Sequence, residues 1–167
     1  MKLNRAMITL IISLLCLGLM AGLFYAWAVS VMPGITKLND LQFLSAMQSM
    51  NRAILNPLFL IPFIGTVFLL PYATWQQASQ PAFYYLLAAS VLYIAGVFGV
   101  TITGNVPLNE SLDKLNLVNA TAEALAEQRK LFEKPWVNLH NIRTICGVLA
   151  FACGLIGLYQ AAANNCK

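Results

Sequence analysis

Charge is what this sequence has least of: 10 basic and 6 acidic residues among 167, 10% of the chain, where soluble domains run near a quarter. So thin a polar coat excludes a protein surrounded by water on all sides. Nowhere do Lys and Arg alternate with aromatic residues, which argues against a nucleic-acid-binding face. Histidine occurs once, as His140, so bis-His haem ligation within one chain is ruled out, and no first-row metal constellation remains. The four cysteines form no C-x-x-C pair. Cys16 lies in an apolar run, Cys146 and Cys153 share one helical face, and Cys166 is in the tail, so they read as small apolar side chains rather than a redox framework. Gly-rich phosphate loops, Walker motifs and G-x-S-x-G elbows are absent. The apolar runs carry no carboxylate, so a proton-coupled transporter would lack its usual relay.

What is present is hydrocarbon. Hydrophobic residues make up 59% of the chain and mean hydropathy is +0.71, a surface that only lipid can solvate. Four runs approach the length of about 20 residues that a helix needs to cross a bilayer: about 6–32, 53–74, 82–103 and 144–163. They predict an all-α fold, an integral membrane four-helix bundle forming a single domain over 1–167. Lys2, Arg5 and Ala26-Trp27-Ala28 have the outline of a signal peptide. The intervening apolar run of about 20 residues exceeds the usual 7–15, so it reads as a retained membrane helix. Pro57 and Pro81 suit helix starts, and Pro62 predicts a kink. Gly18 with Gly22, and Ala150 with Gly154, are small-x-x-x-small steps that let backbones approach. They suit a compact bundle and are compatible with a homo-oligomer.

The connections are unequal. Asn39 and Gln42 resemble a capping box, so a helix is expected from about Asp40 into the second span, bending near Pro57. The polar connection 104–143 is too long to be structureless. Asn119 is expected to cap an amphipathic interfacial helix that ends near Lys134, where Pro135 stops it. Its Ala122, Leu125, Ala126 and Phe132 form the apolar side, while Glu123, Glu127, Lys130 and Lys134 face water. Orientation signals conflict: Lys2 and Arg5 favour a cytoplasmic N-terminus, whereas Lys37, Arg52, Lys114, Arg129, Lys130, Lys134 and Arg143 weigh against it. A cytoplasmic N-terminus in a plasma or inner membrane is the orientation adopted.

Alternating spans bring most polar side chains to one membrane face. Gln48, Asn51, Arg52 and Asn56 precede or open the second run; Thr101, Thr103, Asn105 and Asn109 close the third; Trp136, Asn138, His140, Asn141, Arg143 and Thr144 lead into the fourth. Tyr25, Trp27 and Ser30 arrive there from the first. Such groups are costly near hydrocarbon unless paired. One reading has them tie helix ends together in the interfacial belt. The other has them form a pocket. There His140 is the side chain suited to proton transfer and Arg143 the group to stabilise negative charge. Tyr25, Trp27, Gln48, Asn51, Asn105, Asn109, Trp136 and Asn141 would line it. No metal or other cofactor is assigned.

The same positions carry a resemblance. Val31-Met32-Pro33-Gly34, Gln48 with Asn51 and Asn56-Pro57, Asn105-Val106-Pro107-Leu108-Asn109, and Trp136 with Asn141-Ile142-Arg143-Thr144 resemble the signature of the anthrone oxygenase-like family. They extend through nearly the whole chain in consistent order; His140 falls outside them. The resemblance implies a four-span membrane domain. For some members it implies oxidation of an anthrone to an anthraquinone by molecular oxygen, without metal or flavin, and hence a hydrophobic aromatic small molecule as partner alongside the bilayer. The alternative is a non-enzymatic membrane protein, either a small-molecule binder or a partner subunit of a membrane complex.

Overall fold

A computed structural model describes residues 4–164; Lys2 and Cys166 lie outside the described residues. Five helices hold most of the described residues: α1 (Arg5–Ile35), α2 (Asp40–Ala53), α3 (Pro57–Trp75), α4 (Ala82–Asp113) and α5 (Ala122–Asn164). Four of them, all but α2, are long and apolar enough to cross a membrane. No strand occurs among the described residues.

Short polar side chains start these helices by accepting otherwise orphaned backbone N–H groups. Asn4 Oδ1 accepts from Met7 N–H at 2.9 Å, Asn39 Oδ1 from Gln42 N–H at 2.9 Å, and Asn56 Oδ1 from Phe59 N–H at 3.2 Å. The expected bend between α2 and α3 is therefore a break. Pro57 disfavours helical geometry in its predecessor, Asn56 turns extended, and a new helix begins.

Three further expectations are corrected. The helix that holds the third span does not end near Thr103; α4 continues to Asp113. Asn119 does not cap the next helix. α5 begins at Ala122, with Thr121 Oγ1 accepting from Ala124 N–H at 3.3 Å. Nor does Pro135 stop it, so the expected interfacial helix is the outer half of a helix continuous with the fourth span. Proline costs α5 the hydrogen bond to the Leu131 carbonyl. Leu131 lies on an exposed side, where solvent can take over that bond. The expected amphipathic pattern is otherwise largely present: Leu125 and Phe132 are buried, while Glu123, Glu127, Lys130 and Lys134 are exposed.

Two prolines leave a different mark. Wide π-helical turns at Trp27–Val31 and Thr101–Asn105 each end two residues before a proline, Pro33 and Pro107. Met32 N–H bonds back to Trp27 O, and Val106 N–H to Thr101 O, an i→i+5 step that rotates everything beyond it. Such turns recur at functional sites, and both lie at the same end of the bundle.

The spans form a ring in which α1 packs on α3 and α5, and α4 on α3 and α5. The core between them holds Leu10, Leu14, Leu17, Phe63, Leu86, Tyr93 and Val97. Neighbouring side chains fill the space that these glycines leave: a Cβ on Gly154 would overlap Leu14, and one on Gly18 would lie 3.0 Å from the Phe151 ring. Gly22 has open space instead. Tyr93 donates to Phe63 O at 2.8 Å, and Thr74 meets Ser90 at 3.0 Å, so buried polar groups between α3 and α4 are mutually satisfied. Outward-facing Leu15, Leu19, Ile61, Phe68 and Ile145 are exposed, as lipid contact requires. At the end that holds the two π turns a second core, with Met32, Phe43, Met47, Leu112, Phe132 and Trp136, joins α2 and the outer parts of α4 and α5.

Candidate functional site

Between the two cores lies a cavity of about 350 Å³, bounded by the end of α1, the α2–α3 junction, α4 and α5. α4 and the residue that follows it supply Val106, Asn109, Glu110, Asp113 and Lys114 to its wall. These are spaced i, i+3, i+4, i+7 and i+8, a single helical stripe, which the π turn at Thr101–Asn105 aims inward. Apolar walls come from Phe24, Trp27, Ile54, Phe59, Phe63 and Ile102. Arg52 and Asp113 form an ion pair at the mouth, with both side chains well exposed.

Arg143 also lines the cavity and is only 8% exposed. Buried guanidinium groups are normally paired with carboxylates. This one has none within salt-bridge distance among the described residues, where the ion pairs are Arg52–Asp113, Arg129–Asp40 and Arg129–Glu133. Instead, Nε donates to His140 Nδ1 at 3.1 Å and Nη1 to Thr101 Oγ1 at 3.3 Å. The cation lies 4.5 Å from the Phe24 ring centre and 5.2 Å from that of Trp136, where ring quadrupoles replace part of its lost hydration. Nη2 donates to no protein group among the described residues. The result is a partly satisfied cation facing an apolar slot.

Trp136 is fixed from two sides. Its Nε1–H donates to Asn109 Oδ1 at 2.8 Å, and its ring stacks on His140 at 5.0 Å with a 13° tilt. Trp27 lies 5.9 Å from Trp136 between ring centres. His140 is wholly buried behind these rings and is not on the cavity wall. Because Arg143 Nε–H points at Nδ1, that nitrogen is the acceptor and the ring proton sits on Nε2, 3.5 Å from Thr144 Oγ1. A pocket-facing base is therefore not what the fold makes of His140; it touches the cavity only through Arg143 and Trp136.

The ten residues singled out in the sequence separate into groups. Trp27, Asn51, Asn109, Trp136 and Arg143 share the cavity, and Asn51 Nδ2 is buried there without a partner. Gln48 instead ties α2 to the end of α4, donating to Leu112 O at 2.8 Å and Leu115 O at 3.1 Å. Asn105 is buried and donates to Trp136 O at 3.2 Å. His140 lies behind the wall. Asn141 faces a separate groove with Arg129, Lys130, Lys134 and Asn138. Tyr25 is exposed, off the wall.

Sequence reasoning passed over Phe24, Met50, Phe59, Phe63 and Ile102, which are indistinguishable in composition from lipid-facing neighbours. It also left Glu110 without a role: with Asp40 and Asp113 it could reach the same face, but the spacing of the three is not distinctive. Among the described residues, no three His, Cys, Asp or Glu side chains gather as metal ligands must.

A family model described as anthrone oxygenase matches residues 43–153, from α2 to the middle of the last span. The chain belongs to the anthrone oxygenase family. No curated protein and no solved structure matches it. The matched stretch of this anthrone oxygenase family member includes most of the cavity wall: the α2–α3 junction, the α4 stripe, Trp136 and Arg143. Trp27 and Phe24 come from outside it.

Proposed function

We propose that this membrane protein oxidises an anthrone, or a closely related phenolic tricycle, to the quinone with molecular oxygen inside the aromatic cavity. The observation that carries the reading is Arg143: a buried cation with no carboxylate within salt-bridge distance among the described residues, facing an apolar slot, in a chain of this family. Such a group suits a ligand that is flat and apolar yet becomes anionic at one oxygen.

The chemistry follows. Loss of the acidic benzylic proton leaves its electron pair delocalised onto the opposite carbonyl oxygen. Arg143 Nη2, which donates to no protein group among the described residues, is the donor available to that oxygen. The anion transfers one electron to dioxygen, and the resulting radicals combine at the benzylic carbon to give a hydroperoxide after protonation. Loss of the second benzylic proton with O–O cleavage forms the new carbonyl and releases water. One substrate and one dioxygen yield one quinone and one water. Trp27, Trp136 and Phe24 hold the ring plane, and His140 is a positioning residue that orients Arg143.

Purified protein in lipid nanodiscs, given an anthrone, is expected to consume oxygen and form quinone one to one, above the spontaneous rate. A rate no higher than buffer overturns the reading.

A further inference from the structure

The reaction needs an acceptor for the benzylic proton, and the one histidine is off the wall with Nδ1 already accepting from Arg143. We propose that Glu110 takes that proton; the assignment rests on the anthrone reading above.

The cavity wall carries two carboxylates, Glu110 and Asp113. Asp113 is held by Arg52 across the mouth. Glu110 makes no ion pair or side-chain hydrogen bond among the described residues, so its oxygens are free to accept. The other charged groups on the wall are Arg52, Lys114 and Arg143. Glu110 sits one residue beyond Asn109, whose amide fixes Trp136, so its position on the wall is set by a packed neighbour.

Separation along α4 matches the chemistry. Thr101, the hydroxyl partner of Arg143, and Glu110 are nine positions apart, roughly 13 Å of helix. The two groups therefore address the slot from opposite ends. In an anthrone, the oxygen that gains charge and the carbon that loses the proton lie on opposite edges of the central ring. With the oxygen on Arg143, the C–H edge points to the Glu110 end. The C–H bond breaks, its pair stays in the ring, and the proton moves to a Glu110 carboxylate oxygen. Glu110 is exposed, so the proton can pass on to water at the mouth. The step consumes no oxidant.

Proton removal can be read without oxygen. Under anaerobic conditions in D2O, the wild type in nanodiscs should catalyse deuterium exchange at the benzylic carbon above the buffer rate. Glu110→Gln should lower both exchange and aerobic turnover by about 100-fold or more, the usual worth of a general base. Its affinity for an anthraquinone product should change less than twofold. Glu110→Asp should keep part of the exchange, and Glu123→Gln, off the cavity, should exchange as fast as the wild type. Wild-type exchange that survives Glu110→Gln overturns the assignment alone. So does loss of anthraquinone affinity in that variant, which would make Glu110 a ligand-holding group. A wild type that neither binds anthraquinone nor exchanges overturns the anthrone reading and this step with it.

Discussion

Replacing Arg143 by methionine separates a cavity built for an anion from a polar knot that holds helices together. The guanidinium gives up two contacts with ring faces, at 4.5 and 5.2 Å, worth about 0.5–2 kcal/mol each. It also loses hydrogen bonds to His140 and Thr101, which for a charged donor contribute about 1.5–3 kcal/mol each at good geometry; the 3.3 Å bond falls toward the lower end. Opposing these is the desolvation of an ion with no counter-charge, several kcal/mol after relaxation. The opposing contributions are of similar size, so Arg143→Met should lie within about 2 kcal/mol of the wild type, whereas breaking a true buried ion pair costs about 3–5 kcal/mol. Turnover should nevertheless fall about 100- to 1,000-fold, as when a donor to a developing oxyanion is removed. Reversible denaturation in mixed micelles measures the first quantity, and quinone formation the second. A loss above about 4 kcal/mol would show that Arg143 is a structural tie. Unchanged turnover in a folded variant would refute the anion site.

Three further outcomes follow from contacts elsewhere. Gly154→Leu should unfold the bundle or weaken it by more than about 3 kcal/mol, because a Cβ there already overlaps Leu14; Gly22→Ala, with open space, should stay within about 0.5 kcal/mol in the same denaturation assay. Arg129 donates to Thr36 O, Leu38 O and Asp40 and also pairs with Glu133, so Arg129→Ala should raise hydrogen exchange and protease cutting at 36–39 while the spans stay protected; unchanged protection there would show that the clamp does not hold this turn. His140→Leu removes the acceptor for Arg143 Nε and should weaken affinity for an anthraquinone phenolate by about tenfold, with recovery in His140→Asn, which keeps an oxygen near the Nδ1 position; equal loss in both variants would mean ring packing, not this hydrogen bond, is what matters.

The parts of the fold legible in the sequence are those governed by local rules. Uncharged runs of bilayer length specify the spans because an unpaired charge in hydrocarbon is costly. Asn39 and Asn56 mark helix starts because a short acceptor beside orphaned N–H groups acts within three residues. Proline was legible only as a local disturbance. At Asn56-Pro57 it breaks the chain, at Pro33 and Pro107 it accompanies a π turn, and at Pro135 the helix runs through. Whether a lost hydrogen bond ends a helix depends on neighbours and solvent that the local sequence does not specify.

Amino-acid sequence by itself thus determined that this is a four-span helical membrane chain, and which end of it is polar. Tertiary structure decided how that polar end is arranged. The π turn at Thr101–Asn105 turns the Asn109–Glu110 stripe toward the slot, while packing draws Gln48 and Asn105 into backbone ties and hides His140 behind Trp136. Arg143 reads in sequence as one more basic residue near a helix end. It becomes a candidate anion site because, among the described residues, no carboxylate comes within salt-bridge distance when the helices close, and long-range proximity of that kind is a property of the packed bundle alone.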